Sequence, residues 1–190
     1  EQDDTNPNDW IRDRNLTKYI LQAMESTEGP DYVYTISVQG HGDYPEEPVL
    51  EDPKITVSGS STEAQDYKWE YYCNQIYEMD QFIGELIDAL SQIDEDVVLV
   101  MYGDHLPTMD LTVTDVKNRY LFQTEYVIWS NFEMEKEDRD LATYQLAAEV
   151  LDRVDIHTGT TVKYHQTADH DSASYLKNLE TLSLIHISEP

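Results

Sequence analysis

The feature that most constrains this chain is a change of hydrophobic period between residues 63 and 105. From about Glu63 to Ile93, the residues Trp69, Tyr72, Cys73, Ile76, Tyr77, Phe82, Ile83, Leu86, Ile87 and Leu90 form a broad apolar stripe of 3.6-residue period. That stripe predicts one long amphipathic helix. Asp94-Glu95-Asp96 makes a turn, and Val97-Val98-Leu99-Val100-Met101-Tyr102 is then apolar without interruption. A short continuous apolar run of this kind predicts a strand buried on both faces. The strand stops at Gly103-Asp104-His105. In open α/β sheets, ligands bind just beyond the carboxyl ends of strands. A carboxylate and an imidazole side by side there are the first candidates for chemistry.

The rest of the chain fits an alternating pattern. Residues 10–24 carry Ile11, Leu16, Tyr19, Ile20, Ala23 and Met24 at helical spacing, closed by Gly29-Pro30. Tyr32-Val33-Tyr34-Thr35-Ile36-Ser37-Val38 is rich in aromatic and β-branched residues and predicts a strand. A loop with Gly40, His41, Gly42 and Pro45 follows. Residues 46–62 read as an exposed Pro-, Ser- and Thr-rich excursion, with a short strand possible at Ile55-Thr56-Val57. Glu125-Tyr126-Val127-Ile128-Trp129 predicts a third strand, and Leu141 to Val154 a second amphipathic helix. Residues 160–181 give only weak signal. This order predicts an α/β sandwich with a largely parallel central sheet.

Charge narrows the function classes. Twelve basic residues stand against 39 acidic ones, a net charge of −27. Such a field repels nucleic acid and anionic membrane surfaces. It keeps a surface solvated, and it also gathers cations. The single cysteine, Cys73, excludes an internal disulfide and reads as a small buried hydrophobe. No apolar run approaches the roughly 20 residues that span a bilayer, and no signal peptide is visible. The chain begins at Glu1 without methionine, which reads as a piece of a longer protein whose other part could carry an anchor. Leu182-Ser183-Leu184-Ile185-His186-Ile187-Ser188-Glu189-Pro190 resembles the read-through translation of a sequencing-library transposon adapter. The fold reading is therefore confined to residues 1–181.

Asp104 and His105 offer a carboxylate oxygen and an imidazole nitrogen, donors that suit Mn²⁺, Mg²⁺ or Zn²⁺. Two ligands are too few for a site, and turn chemistry by Asp with an exposed His is the plainer alternative. His41 stands between two glycines after a strand. It could donate to a substrate phosphate or join a metal shell. Asp80 interrupts the long helix's apolar stripe and would need a partner there, either in a neighbouring element or in a loop beside the site. His157, His165 and His170 lack comparable context and read as surface residues. The chain has no G-x-x-x-x-G-K-[ST], G-x-G-x-x-G or G-x-S-x-G pattern. It also has no basic-aromatic stretch for nucleic acid.

Four segments in order resemble one family. They are Tyr34-Thr35-Ile36-Ser37-Val38-Gln39-Gly40-His41-Gly42-Asp43-Tyr44-Pro45, the helix at Tyr77 to Ile87, Met101-Tyr102-Gly103-Asp104-His105-Leu106-Pro107, and Tyr126-Val127-Ile128-Trp129-Ser130-Asn131. Together they resemble the lipoteichoic-acid synthases and related phosphoglycerol transferases, in the sulfatase branch of the alkaline phosphatase superfamily. The resemblance spans roughly Trp10 to Val154. It implies an alkaline-phosphatase-like sandwich, truncated at both ends. It implies that Asp104 and His105 ligate one Mn²⁺ or Mg²⁺ ion and that His41 contacts the phosphoglycerol substrate. The implied reaction moves glycerol phosphate from a phosphatidylglycerol-like lipid to a polyglycerol-phosphate-like acceptor through a covalent threonine intermediate. The implied setting is the bacterial cell membrane, with the catalytic domain extracellular and an anchor outside this chain. In the family, the nucleophile and a further acidic ligand precede the His41 segment, and no matching segment occurs here. The chain is therefore expected to be the C-terminal part of a catalytic domain, inactive alone. A sulfatase or phosphodiesterase of the same superfamily, or a non-catalytic acidic surface module, are the rival readings.

Overall fold

In the computed structural model, which describes residues 4–185, the apolar stripe becomes α2, Glu63–Leu90. Its start follows from capping. Thr62 is extended and its Oγ1 accepts the Gln65 N–H at 3.2 Å, while Glu63 and Asp66 sit in the first turn, where the helix dipole favours negative charge. The buried face is rotated from the expected stripe. Tyr71, Asn74, Gln75, Phe82, Leu86 and Leu90 are buried, whereas Tyr77 is exposed. The C-terminal half of the face is apolar, and the N-terminal half carries two amides.

The first helix is shorter than its spacing suggests. α1 spans Leu16–Met24 after a 3-10 turn at Asp13–Asn15. Residues 5–11 instead form a turn closed by an antiparallel bridge between Thr5 and Ile11, with Asn6 buried inside it.

The sheet among the described residues has two strands, β1 at Val98–Tyr102 and β2 at Tyr126–Ser130. The Gly103 N–H donates to the Glu125 carbonyl at 3.2 Å. The residue after β1 thus faces the residue before β2, so the pair runs antiparallel. The expected largely parallel sheet does not form among these residues. Residues 98–101 of β1 are half-buried and Tyr102 is exposed, not buried on both faces as the apolar run predicts. The Tyr32–Val38 stretch joins no ladder, and Tyr32 and Ile36 are 91% and 68% exposed. A strand exists only with an edge to bond, so propensity alone leaves this segment unpaired. At residues 55–57 no strand forms either, because the Asn74 side chain on α2 takes both backbone groups of Ile55.

The chain divides into two units. One comprises the residues up to Val97 with Tyr102–Glu125, and the other Val98–Met101 with the residues from Tyr126 onward. In the second unit a 3-10 turn at Thr143–Gln145 leads into α3, Leu146–Arg153, followed by α4, Thr160–Thr167, and α5, Tyr175–Ile185. The last two helices occupy the region of weak signal. They are organised by polar-aromatic contacts rather than by an apolar stripe. Tyr175 is 3% exposed, stacks on Tyr164 at 5.1 Å between ring centres, and accepts from Gln145 at 3.3 Å. Residues 186–190 of the adapter-like segment lie outside the described residues.

His157 and His170 are exposed, as expected, but His165 is not a surface residue. Its Nδ1 lies 2.5 Å from the Tyr175 hydroxyl, because α4 turns that face toward α5. Burial, and secondarily nearby His170, hold its pKa below the usual imidazole value. The folded state therefore binds fewer protons than the unfolded chain. Stability is constant above the unfolded pKa of about 6.5 and falls as pH drops from there toward the lowered folded value. In denaturation series between pH 7.5 and 5, His165→Gln is expected to lose stability less steeply on acidification than the wild type. Parallel curves would show that His165 does not titrate in this way.

Candidate active site

The site is assembled on the N-terminal half of α2. Tyr44, three residues after His41, and Met109, four after His105, are both buried against Tyr71 of that helix. One helical residue thus anchors both candidate loops. The Tyr44 hydroxyl closes the first loop by donating to the Gly40 carbonyl at 3.1 Å. Burial pushes the Tyr44 and Tyr71 phenols up to about 12, so both stay neutral at physiological pH. The two loops also meet directly. A Cβ at Gly42 would lie 2.7 Å from Thr108 Oγ1, so a larger residue there requires the Thr108 side chain to shift.

Beneath His41 lies a buried polar cluster. Gln39 is 1% exposed, and its side-chain oxygen accepts the Asp13 N–H at 2.7 Å. Its amide nitrogen donates to Gln75 Oε1 at 3.0 Å and to Glu78, which also pairs with Arg12. Asn6 donates to the Gln39 carbonyl at 3.1 Å and to Gln75 at 3.2 Å. Asp13 accepts the Ser37 hydroxyl at 2.7 Å, and burial raises its carboxyl pKa above the ordinary value. The His41 ring itself is exposed and rests against Trp10, with centres 5.2 Å apart.

Gly103 fixes the second loop. Its N–H is held by the Glu125 carbonyl, and its carbonyl accepts the Thr124 hydroxyl at 2.6 Å. Asp104 and His105 then project into solvent, their side chains 82% and 57% exposed, with Asp104 Oδ1 and His105 Nε2 3.7 Å apart. His105 Nδ1 lies 2.8 Å from the Leu106 carbonyl. A carbonyl can only accept, so in the neutral ring Nδ1 carries the proton and Nε2 keeps its lone pair. That is the tautomer a metal-ligating Nε2 requires, oriented by a backbone partner. The donor set fits a divalent ion in chemistry and is incomplete in number. Among the described residues, no group of three His, Cys, Asp or Glu side chains is placed to hold an ion.

The structure thus brings Asp104 and His105 together and sets the His41 loop against theirs, but it does not gather His41 with them as a ligand. Asp80 is exposed, with Gln81 as a partner at 3.4 Å. It is not a buried carboxylate, because the burial of α2 turns away from it. Cys73 is half-buried rather than fully buried, with its thiol pKa raised by that burial. Asn6, Gln39 and Gln75 escaped the sequence reading. The available signal was Gln75 itself, a polar residue four after Tyr71 and seven before Phe82, which puts it on their face of α2.

Residues 1–156 match the family model for Sulfatase, and the chain belongs to that family, in the sulfatase branch of the alkaline phosphatase superfamily. A putative cyclic beta-1,2-glucan modification protein of Rhizobium meliloti (strain 1021) is 25% identical over 137 residues, covering 64% of this chain and 21% of that protein. The solved structure of Streptococcus pyogenes phosphoglycerol transferase GacH in complex with sn-glycerol-1-phosphate superposes with a TM-score of 0.64 at 20% identity. The superposition covers 90% of this chain and 46% of that one. The chain therefore spans about a fifth of the one relative and just under half of the other, and the second likeness shows a shared alkaline-phosphatase-like fold.

Two substitutions test the assembly. Gln39→Leu leaves the Asp13 N–H without its buried partner and removes one of the donors to Gln75 and to Glu78, and is expected to cost about 2–4 kcal/mol in urea denaturation. A loss below about 0.5 kcal/mol, the usual range for surface changes, would show that the cluster is not structural. Gly42→Ala is expected to cost about 1–3 kcal/mol by overpacking against Thr108. The same measurement checks it, and a neutral result would mean that the Thr108 side chain turns aside for the added methyl.

Proposed function

We propose that this chain supplies part of the active site of a metal-dependent transferase, which moves glycerol phosphate from a phosphatidylglycerol-like lipid to a cell-envelope polymer. The observation that carries the reading is the Asp104–His105 pair, with Nε2 left as a lone-pair donor 3.7 Å from the carboxylate, in a chain of the sulfatase family. The neighbour's bound sn-glycerol-1-phosphate supports a glycerophosphate-derived substrate. The name of the rhizobial relative supports a glycan as the polymer modified.

In this reading Asp104 and His105 hold one divalent ion, Mn²⁺ or Mg²⁺, which supplies Lewis-acid stabilisation of phosphoryl oxygens when bound. His41 donates a hydrogen bond to the substrate phosphate from the adjoining loop, its ring held by Trp10. Gly103 fixes the direction of the two ligands, and the Gln39 cluster fixes the backbone that carries His41. The threonine nucleophile and the remaining ligand belong to other segments of the whole enzyme. The enzyme sits on the outer side of a bacterial membrane, on an anchor elsewhere in the protein. No helix among the described residues is long and apolar enough to cross a membrane.

In the full-length enzyme, Asp104→Asn and His105→Ala are each expected to lower glycerol-phosphate release from phosphatidylglycerol at least a hundredfold. Chelation should abolish turnover, with Mn²⁺ restoring it in the wild type and not in the variants. Wild-type rates in either variant would remove the pair from the chemistry. Sulfate-ester or phosphodiester hydrolysis without transfer would instead favour the hydrolase reading.

A further inference from the structure

Before β2 the chain makes a hydrogen-bonded loop whose exposed side chains are aromatic and cationic. The Arg119 N–H donates to the Val116 carbonyl at 3.2 Å, the Tyr120 N–H to Asn118 Oδ1 at 3.0 Å, and Asn118 Nδ2 to Gln123 Oε1 at 2.8 Å. The base of the loop is fixed, because the Thr124 hydroxyl donates to the carbonyl of Gly103, the residue before Asp104. Tyr120 and Phe122 are 55% and 84% exposed, and their rings pack edge to face on each other, with centres 5.8 Å apart. Lys117 and Arg119 are exposed beside them, and neither pairs with a carboxylate among the described residues.

Charge and exposure together select the occupant. The chain carries a net charge of −27, so an anionic surface is repelled except where the sign is locally reversed. Residues 116–124 hold two cations and no Asp or Glu. One oxygen of the flanking Asp115 is already taken by the N–H and hydroxyl of Thr112, at 2.7 and 2.6 Å. Carboxylates more than about 8 Å away are largely screened at physiological ionic strength. An apolar protein surface would use the rings and leave the cations unpaired. A soluble polyanion would use the cations and leave the rings in water. The surface of a phospholipid bilayer uses both, since aromatic rings settle at headgroup level while Lys and Arg reach the phosphates. We infer that residues 117–122 dock on a bilayer carrying anionic phosphatidylglycerol-like headgroups, with Tyr120 and Phe122 entering the interface. The inference rests on the transferase reading for its purpose, engagement of the membrane that holds the donor lipid, but the contact itself does not depend on turnover.

The test places the full-length enzyme carrying Phe122→Trp in phosphatidylcholine vesicles with and without phosphatidylglycerol, and reads the emission that this variant adds to the wild type. Phospholipids brominated near the top of the acyl chains are expected to quench the added emission at least twofold when phosphatidylglycerol is present. Adding Lys117→Glu and Arg119→Glu should abolish the quenching. Separately, Phe122→Ser should raise the KM for phosphatidylglycerol in vesicles at least fivefold with kcat within twofold, and leave turnover of dispersed dihexanoyl-phosphatidylglycerol unchanged. The Phe122 side chain is exposed, so both of its variants keep the fold. Unquenched emission, as when another segment of the enzyme or a protein partner covers the loop, would overturn the inference. Quenching that survives the two charge reversals, an unchanged KM in vesicles, or an equal loss on the dispersed donor would do the same. Charge-dependent quenching in an enzyme that releases no glycerol phosphate from either donor would instead refute the transferase reading and leave the docking loop standing.

Discussion

The arrangement around the candidate site depends on one interaction: amide side chains of α2 satisfying the backbone of loops that have no ladder of their own. Asn74 accepts the Lys54 and Ile55 N–H groups at 2.7 and 3.1 Å and donates to the Ile55 carbonyl at 2.8 Å. Gln75 joins Asn6 and Gln39, one turn-forming residue and one just before His41. Buried backbone groups must be paired, and an unpaired one costs about as much as a lost hydrogen bond. A helix with an all-apolar face could not lie against these loops. The polar half of α2 is therefore the scaffold for loop geometry, and its apolar half, through Phe82, Leu86 and Leu90, supplies ordinary hydrophobic burial.

This division explains how two distant loops come to share a site. Tyr44 and Met109 lie 65 positions apart in the chain but pack on the same tyrosine of α2. The loops are pinned from below by side chains, from the side by Gly42 against Thr108, and at the base of the second loop by Gly103 bonded to residues 124 and 125. What they present outward, His41, Asp104 and His105, is exposed.

Much of the site was legible in the sequence because its residues sit at places where local rules act. An apolar run that ends at Gly103 marks a strand terminus, and β1 ends there at Tyr102. The glycines around His41 mark a tight loop. The second unit was largely illegible. α4 and α5 lack a strong apolar repeat, and His165 is buried by a hydrogen bond to Tyr175, a contact that no window of sequence contains. Asp80 misled for the opposite reason. Periodicity fixes which residues share a face of a helix, not which face is turned inward.

The sequence by itself determined the long helix, the positions of both candidate loops, the adjacent carboxylate and imidazole, and the family resemblance, since each is a local pattern. Only the tertiary structure decided the antiparallel pairing of β1 and β2, the unpaired state of residues 32–38 and the Gln39 cluster. These depend on which groups meet across the fold. A strand and a buried amide each take their character from a partner far away in the chain, and the residue alone does not name that partner.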